Sequence, residues 1–76
     1  MLIMNKKELE KLFVFVQGNV EKKYEEECSM AMDCFIEEEF DLGECTRFLE
    51  YLLTLVKEDK VDVVQTKMEA FLSNNQ

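Results

Sequence analysis

Residues 25–40, EEECSMAMDCFIEEEF, combine carboxylates with sulfur atoms, the two side-chain types in this chain best suited to binding a metal ion. Thiolates and thioethers bind soft ions such as Cu(I). A helix turns by about 100° per residue, so Cys28 and Cys34 lie about 240° apart and Met30 and Met32 about 200° apart. Neither pair can converge on one ion from a single helix. We therefore predict no metal site and no cofactor.

The rest of the chain offers little catalytic chemistry. It contains no histidine, which removes the commonest general base and the commonest metal ligand. Ser29 therefore cannot belong to a Ser-His-Asp triad, and Gly18 and Gly43 are too far apart for a glycine-rich phosphate loop. We predict that the protein is not an enzyme.

The acidic residues are concentrated in the middle of the chain. The net charge is −8, and residues 21–50 alone carry 11 acidic and 3 basic residues, so the whole imbalance lies there. Direct binding of nucleic acid is not expected, because phosphates would be repelled. A basic protein partner is expected instead.

Several polar residues mark the starts of predicted helices. Asn5 is a good N-cap residue, and Asp41 followed by Glu44 matches a capping box. Asn19 and Asp59 are expected to cap the two remaining helices.

Apolar residues at helical spacing predict the overall architecture. The pattern continues across Gly18, so residues 6–40 could form one helix or two. It resumes on a rotated face after the charged residues 57–60, which indicates a tight turn there. We predict an all-α fold, a small antiparallel bundle of three to four helices. Residues 1–76 are expected to form one domain without an internal repeat.

The segment between the two glutamate runs is apolar on nearly every side. A helix of this kind is buried nearly all round, and one small bundle can cover only part of it. The remainder needs either a lid from the N-terminal segment or a second copy of the protein, and we favour a homodimer packed through this helix. The expected interface residues are Cys28, Met30, Met32, Phe35 and Ile36.

One face of the same helix carries Glu26, Asp33 and Glu37, separated along the axis by about 10 Å and about 6 Å. Such a row could imitate a phosphate backbone and occupy a groove meant for DNA or RNA. The alternative is a solvated face that keeps the domain soluble. The expected partner-binding residues are acidic side chains of this region and two tyrosines: Glu26, Asp33, Glu37, Glu38, Asp41, Glu44, Tyr24 and Tyr51.

Two features bear on localisation. No apolar run approaches the roughly 18 residues that span a membrane. The cysteines are odd in number and lack the spacing of a disulfide framework. We expect a cytoplasmic protein with reduced thiols and no membrane contact.

The length, acidity and helix content resemble those of acyl carrier proteins, and IEEEFD at residues 36–41 is similar to the second helix of that family. The family carries phosphopantetheine on the serine of an Asp-Ser-Leu motif at the start of that helix. Here the serines are Ser29 and Ser73, and neither follows an aspartate. A carrier-like role is therefore the third of three interpretations.

Size, charge and helix content also resemble bacteriocin immunity proteins and short phage proteins that block host machinery, including anti-CRISPR and anti-sigma proteins. The resemblance implies an inhibitor or regulator of a basic, nucleic-acid-handling protein, acting partly by charge mimicry. We expect this function. The second interpretation is a structural or assembly subunit that self-associates through the second helix.

Overall fold

The computed structural model describes residues 5–75. Its four α-helices are α1 (Lys6–Gln17), α2 (Glu25–Glu37), α3 (Leu42–Leu53) and α4 (Val61–Asn74). Short 3-10 turns, Lys22–Tyr24 and Glu58–Lys60, precede α2 and α4. Apart from one isolated bridge, residues 5–75 contain no extended pairing, so the predicted all-α class is confirmed. None of these helices is long and apolar enough to cross a membrane.

Helices α1 and α3 begin at their predicted N-cap residues. The side-chain oxygen of Asn5 accepts hydrogen bonds from the backbone N–H groups of Lys7 at 3.1 Å and Glu8 at 3.3 Å. In the capping box of α3, Asp41 Oδ1 accepts from the backbone of Glu44 at 2.8 Å, and Glu44 Oε1 accepts from the backbone of Asp41 at 3.4 Å. These bonds satisfy donors that the start of a helix leaves unpaired.

Helices α2 and α4 do not begin at their predicted N-cap residues, Asn19 and Asp59. The side chain of Asn19 donates to the carbonyl of Phe15 at 2.8 Å, so it closes the end of α1. Asp59 lies inside the second 3-10 turn. The N-cap positions are held by Tyr24 and Lys60, neither of which makes a side-chain cap. Both cap predictions were wrong because the 3-10 turns lead the chain directly into these helices.

The loops that follow α1 and α3 pair with each other. Val20 and Val56 form an isolated antiparallel bridge, flanked by two backbone hydrogen bonds. The two bonds run from the N–H of Glu21 to the carbonyl of Leu55 and from the N–H of Lys57 to the carbonyl of Asn19, each at 2.9 Å. Because the first loop must reach this bridge, residues 6–40 form two helices.

The second half of the chain repeats the structure of the first half. Helices α1 and α3 start at residues 6 and 42, and α2 and α4 at residues 25 and 61, so both pairs are 36 positions apart. Equivalent loop residues share their backbone angles: φ and ψ are −57° and 140° at Glu21, and −56° and 138° at Lys57. Buried positions also correspond in pairs: Leu9 and Cys45, Phe13 and Leu49, Val16 and Leu52, Cys28 and Val64, Met32 and Met68. The prediction of no internal repeat was wrong, and we call residues 5–39 the first unit and residues 41–75 the second unit.

All four helices contribute to one hydrophobic core. Within residues 5–75 it contains 15 buried side chains, all of them apolar or cysteine, and no buried charged residue. Helix α1 packs against α2 and α4, and α3 packs against α4. Full burial of one aliphatic side chain contributes roughly 1.5–3 kcal/mol, so this core is the main source of stability.

Helices α2 and α3 meet through aromatic rings. Helix α1 lies close to α4. In the repeat, α3 corresponds to α1 and α2 to α4, but α3 and α2 approach each other less closely. Phe35 stacks on Phe48, with ring centroids 4.2 Å apart and planes inclined by 3°, and on Phe40 at 4.4 Å. Phe13 contacts Phe48 edge-on at 5.7 Å. Large rings therefore fill the wider side of the fold.

Candidate partner-binding surface

The predicted acidic row of α2 lies on one exposed side of the helix. Glu26, Asp33 and Glu37 are all exposed, and their spacing places them within about 40° of one another around the axis. We call these three residues the acidic face. Met30, which is 62% exposed, projects from the same side of α2.

In the described part of the chain, no basic side chain forms an ion pair with the acidic face. Within residues 5–75 there is one ion pair, between Lys11 Nζ and Glu8 Oε1 on α1, at 3.6 Å. Between Glu25 and Glu37, α2 carries five acidic residues and no basic one. The helix therefore presents concentrated negative charge to solvent, which attracts basic surfaces and is screened by salt.

The acidic residues that follow α2 have mixed roles. Glu38, just after the helix, is exposed. Asp41 and Glu44 are also exposed, but each uses a carboxylate oxygen in the capping box of α3. These two residues therefore stabilise the fold whether or not they contact a partner.

The two tyrosines differ in exposure. Tyr51 is 40% exposed, and its hydroxyl donates to Glu27 Oε2 at 2.5 Å. This bond, more than the slight burial and the negative charge of Glu27, raises the pKa of Tyr51. Tyr24 is half-buried, and the ammonium of Lys23 lies 5.2 Å from the centre of its ring. Tyr51 is thus the more accessible aromatic residue.

The sulfur atoms of α2 do not form a common site. Cys28 is fully buried, and its thiol donates to the thioether of Met32 at 3.9 Å. Burial, reinforced by the charge of Glu27, raises the pKa of Cys28 to about 11, which keeps the thiol protonated and unreactive at neutral pH. Cys34 is exposed. No cluster of three or more histidine, cysteine or acidic side chains able to hold a metal ion occurs in the described part of the chain.

The five residues predicted to form a dimer interface fall into three groups. Cys28 and Met32 lie in the core of the single chain. Phe35 and Ile36 are half-buried and pack against that core. Met30 is exposed and is the one member of the set that leaves most of its side chain to solvent. The chain thus buries by itself much of the apolar surface that suggested a partner copy.

A groove of about 380 Å³ runs between α1 and α2. The amide of Gln17 donates to the carbonyl of Glu25 at 3.0 Å at one end, and Lys6 Nζ donates to the carbonyl of Ile36 at 3.2 Å at the other, so the two helices run antiparallel. We call this feature the α1–α2 groove, and its lining residues are Glu10, Phe13, Val14, Gln17, Ser29, Met32, Asp33 and Ile36. Ser29 lies inside α2, away from the helix start where a carrier protein holds its prosthetic group.

Sequence reasoning missed the groove because Val14 was passed over. Val14 lies off the buried stripe of α1 and is 74% exposed, the largest exposed fraction among the large apolar side chains of residues 5–75. The sequence signal that could have revealed the groove is that Val14 is apolar but lies outside the buried stripe of α1.

The second unit gives an internal comparison for α2, because α4 holds the equivalent position. Helix α4 carries two acidic residues, Asp62 and Glu69, and one basic residue, Lys67. Asp62 and Glu69 correspond to the first two members of the acidic face, whereas the equivalent of Glu37 is Ser73. The fold therefore accepts a helix with net charge −1 where α2 has −5.

The comparisons with known proteins complete the description of this surface. Protein-family models, curated proteins and solved structures were each searched with the chain, and none of the three gave a match.

Proposed function

We propose that this protein is a small, non-catalytic inhibitor or regulator that binds a basic, nucleic-acid-handling protein through its acidic face. The supporting observation is the net charge of α2, −5, against −1 for α4 in the equivalent position of one fold. Of the acidic face, Glu37 contributes to this excess; the rest comes from Glu25, Glu27 and the absence of a counterpart to Lys67. Because α4 forms the equivalent helix with the lower charge, folding does not require the additional carboxylates of α2, and they are available for recognition. The free thiols fit a reducing compartment, so the proposal places the protein in the cytoplasm.

Charge mimicry would supply the inhibition. From Glu26 to Glu37 the acidic face extends about 17 Å along α2. A surface that binds nucleic acid displays lysines and arginines at intervals that meet phosphates. The row of carboxylates would compete for those basic residues and would steer the encounter at low salt.

The test compares two charge variants of the whole chain. In the first, Glu26→Gln, Asp33→Asn and Glu37→Gln remove the acidic face; in the second, Asp62→Asn and Glu69→Gln remove the acids of α4. Each tagged protein captures partners from a nuclease-treated bacterial lysate at low and high salt. We expect a basic enzyme to bind the wild type and the α4 variant at low salt only, and the acidic-face variant to lose it. The purified enzyme should then be inhibited by the wild type and by the α4 variant, and not by the acidic-face variant. Equal capture by both variants would refute the proposal.

A second candidate function is self-assembly through α2, with the chain acting as a dimeric structural subunit. Met30 favours it, because the equivalent position in the second unit holds the polar residue Thr66, so the fold does not require an exposed apolar side chain there. Sedimentation of the wild type and Met30→Thr decides this. A dimer that Met30→Thr converts to a monomer would support self-assembly, and a monomeric wild type would exclude it.

A further inference from the structure

We propose that the α1–α2 groove is a docking site for a basic amphipathic helix of the protein partner. The inference rests on the proposed function and names the part of the partner that is bound. It commits to a helix with apolar residues on one side and lysines or arginines beside them.

The shape of the groove suits a third helix. Two antiparallel helices form its walls, and Phe13, Val14, Met32 and Ile36 supply its apolar lining. From Glu10 to Gln17 it extends about 10 Å along α1, or two helical turns. Two apolar side chains at positions i and i+4 of a partner helix, about 6 Å apart along its axis, fit this length.

The charges around the groove select a basic ligand. Each wall contributes one acid, Glu10 from α1 and Asp33 from α2, and within residues 5–75 the nearest base, Lys6, lies at one end of the groove and not among its lining residues. Asp33 also belongs to the acidic face, so the groove and the face are continuous.

The second unit shows that the fold does not require this apolar surface. The equivalent of Val14 is Glu50, which is exposed, and the equivalent of Gln17 is Leu53, which is half-buried. Polar and apolar residues are thus exchanged between the two units at these positions. Val14 is 74% exposed where the same fold holds a glutamate, so folding does not require an apolar side chain at this position, and Val14 is free to contact a ligand.

The probe is a synthetic helical peptide of leucine and lysine, about 18 residues long, with leucines at i, i+3, i+4 and i+7. A scrambled peptide of the same composition keeps the charge but loses the apolar side. We expect the amphipathic peptide to bind the full chain at least about tenfold more tightly. Amide chemical shifts should change around Val14 and Ile36.

Two variants separate groove binding from simple attraction of charge. Val14→Glu places a carboxylate in the groove, and Val63→Glu adds the same charge on α4, where the equivalent residue is Glu27. Both positions are exposed, so both variants should fold, which circular dichroism checks. We expect Val14→Glu to weaken binding about tenfold, the contribution of one buried valine, and Val63→Glu to leave it unchanged.

The outcomes distinguish this inference from the proposed function. Tighter binding by Val14→Glu, or equal binding of both peptides, would overturn the groove while leaving the acidic face as the contact. Failure of both peptides to bind at low salt would overturn both proposals. A wild-type dimer that Val14→Glu dissociates would show that a second copy of the chain occupies the groove, which also rejects the basic helix.

Discussion

Tyr51 of α3 donates its hydroxyl hydrogen bond to the carboxylate of Glu27 on α2, at 2.5 Å. This hydrogen bond links α2 and α3, which otherwise meet mainly through stacked aromatic rings. Only the protonated phenol can donate, so the bond couples this interface to pH. The raised pKa of Tyr51 expresses the same coupling.

We expect the contribution of this bond to stability to be lost at high pH. Because the folded pKa lies above the ordinary value of 10.0, the contribution is fully present below that pH and disappears as the pH rises through the raised pKa. Tyr51→Phe should abolish this part of the pH dependence. Tyrosinate absorbance of the folded protein, with and without the substitution, measures the titration. A Tyr51 titration no higher than that of the denatured chain would contradict the prediction.

The capping box predicts unequal effects of two aspartate substitutions. Asp41→Ala removes the acceptor for the backbone N–H of Glu44 and should lower the free energy of unfolding by about 1 kcal/mol. Asp59→Ala removes a side chain that caps no helix and should change it by less than about 0.5 kcal/mol. Urea unfolding of both variants measures the difference. Equal losses would show that Asp59 has a structural role after all.

The cysteines should react with a thiol reagent at very different rates. Cys34 is exposed and should be labelled in the native protein. Cys28 and Cys45 are buried, and burial is the main cause that raises the pKa of each thiol to about 11. Both should therefore react only when the chain opens. Mass spectrometry after brief labelling gives the sites, and Cys34→Ala should remove the rapid phase.

The same two buried thiols predict a loss of stability in alkali. Their folded pKa values exceed the unfolded value of 9.0, so unfolding releases protons and stability falls as the pH rises from about 9 to about 11. Replacing both Cys28 and Cys45 by alanine should flatten this fall. An identical slope in the wild type and the double variant would count against the prediction, although the variant itself will be less stable at every pH.

The aromatic contact between α2 and α3 can be tested with the residue that the first unit uses. The equivalent of Phe48 is Leu12, so Phe48→Leu should fold but lose the stacked pair with Phe35. We expect a loss of about 1–2 kcal/mol in the free energy of unfolding. Phe15→Leu, which breaks no stacked pair of rings, is the matched control and should cost less. Thermal and urea unfolding of both proteins gives the comparison.

The helical class followed from local signals in the sequence. Asn5 and Asp41 have side chains that can satisfy backbone donors within three residues, so their capping role depends on nothing distant. Asn19 and Asp59 have the same chemistry, but the bridge between Val20 and Val56 fixes the loops around them. A contact between residues so far apart in the chain is not visible in local patterns.

The candidate surface was predictable only in part. The common exposure of Glu26, Asp33 and Glu37 follows from helical spacing alone. Burial of Cys28 and Met32 within one chain does not, because it depends on how the other helices pack against α2. The sequence predicted an apolar helix without showing that the chain itself covers much of it.

The repeat left only a weak trace in the sequence. Its units share the same residue at positions 8 and 44, 20 and 56, 32 and 68, and 35 and 71. Elsewhere the core positions differ in type, as with Leu9 and Cys45. Apolar side chains of unlike shape can replace one another when neighbouring volumes compensate, so two units of different sequence can share one backbone.

The hydrogen bond from the backbone of Asn5 to the side chain of Asn75, at 3.4 Å, brings the ends of the described chain together. Combined with the repeat, it predicts that the two units can follow each other in either order along the polypeptide and still reach the same structure. A circular permutant, with its old ends joined by a short glycine linker and new ends between Glu38 and Glu39, would present the second unit first. We expect it to reach the same native state, because every core contact is retained and the new ends lie in an exposed connection.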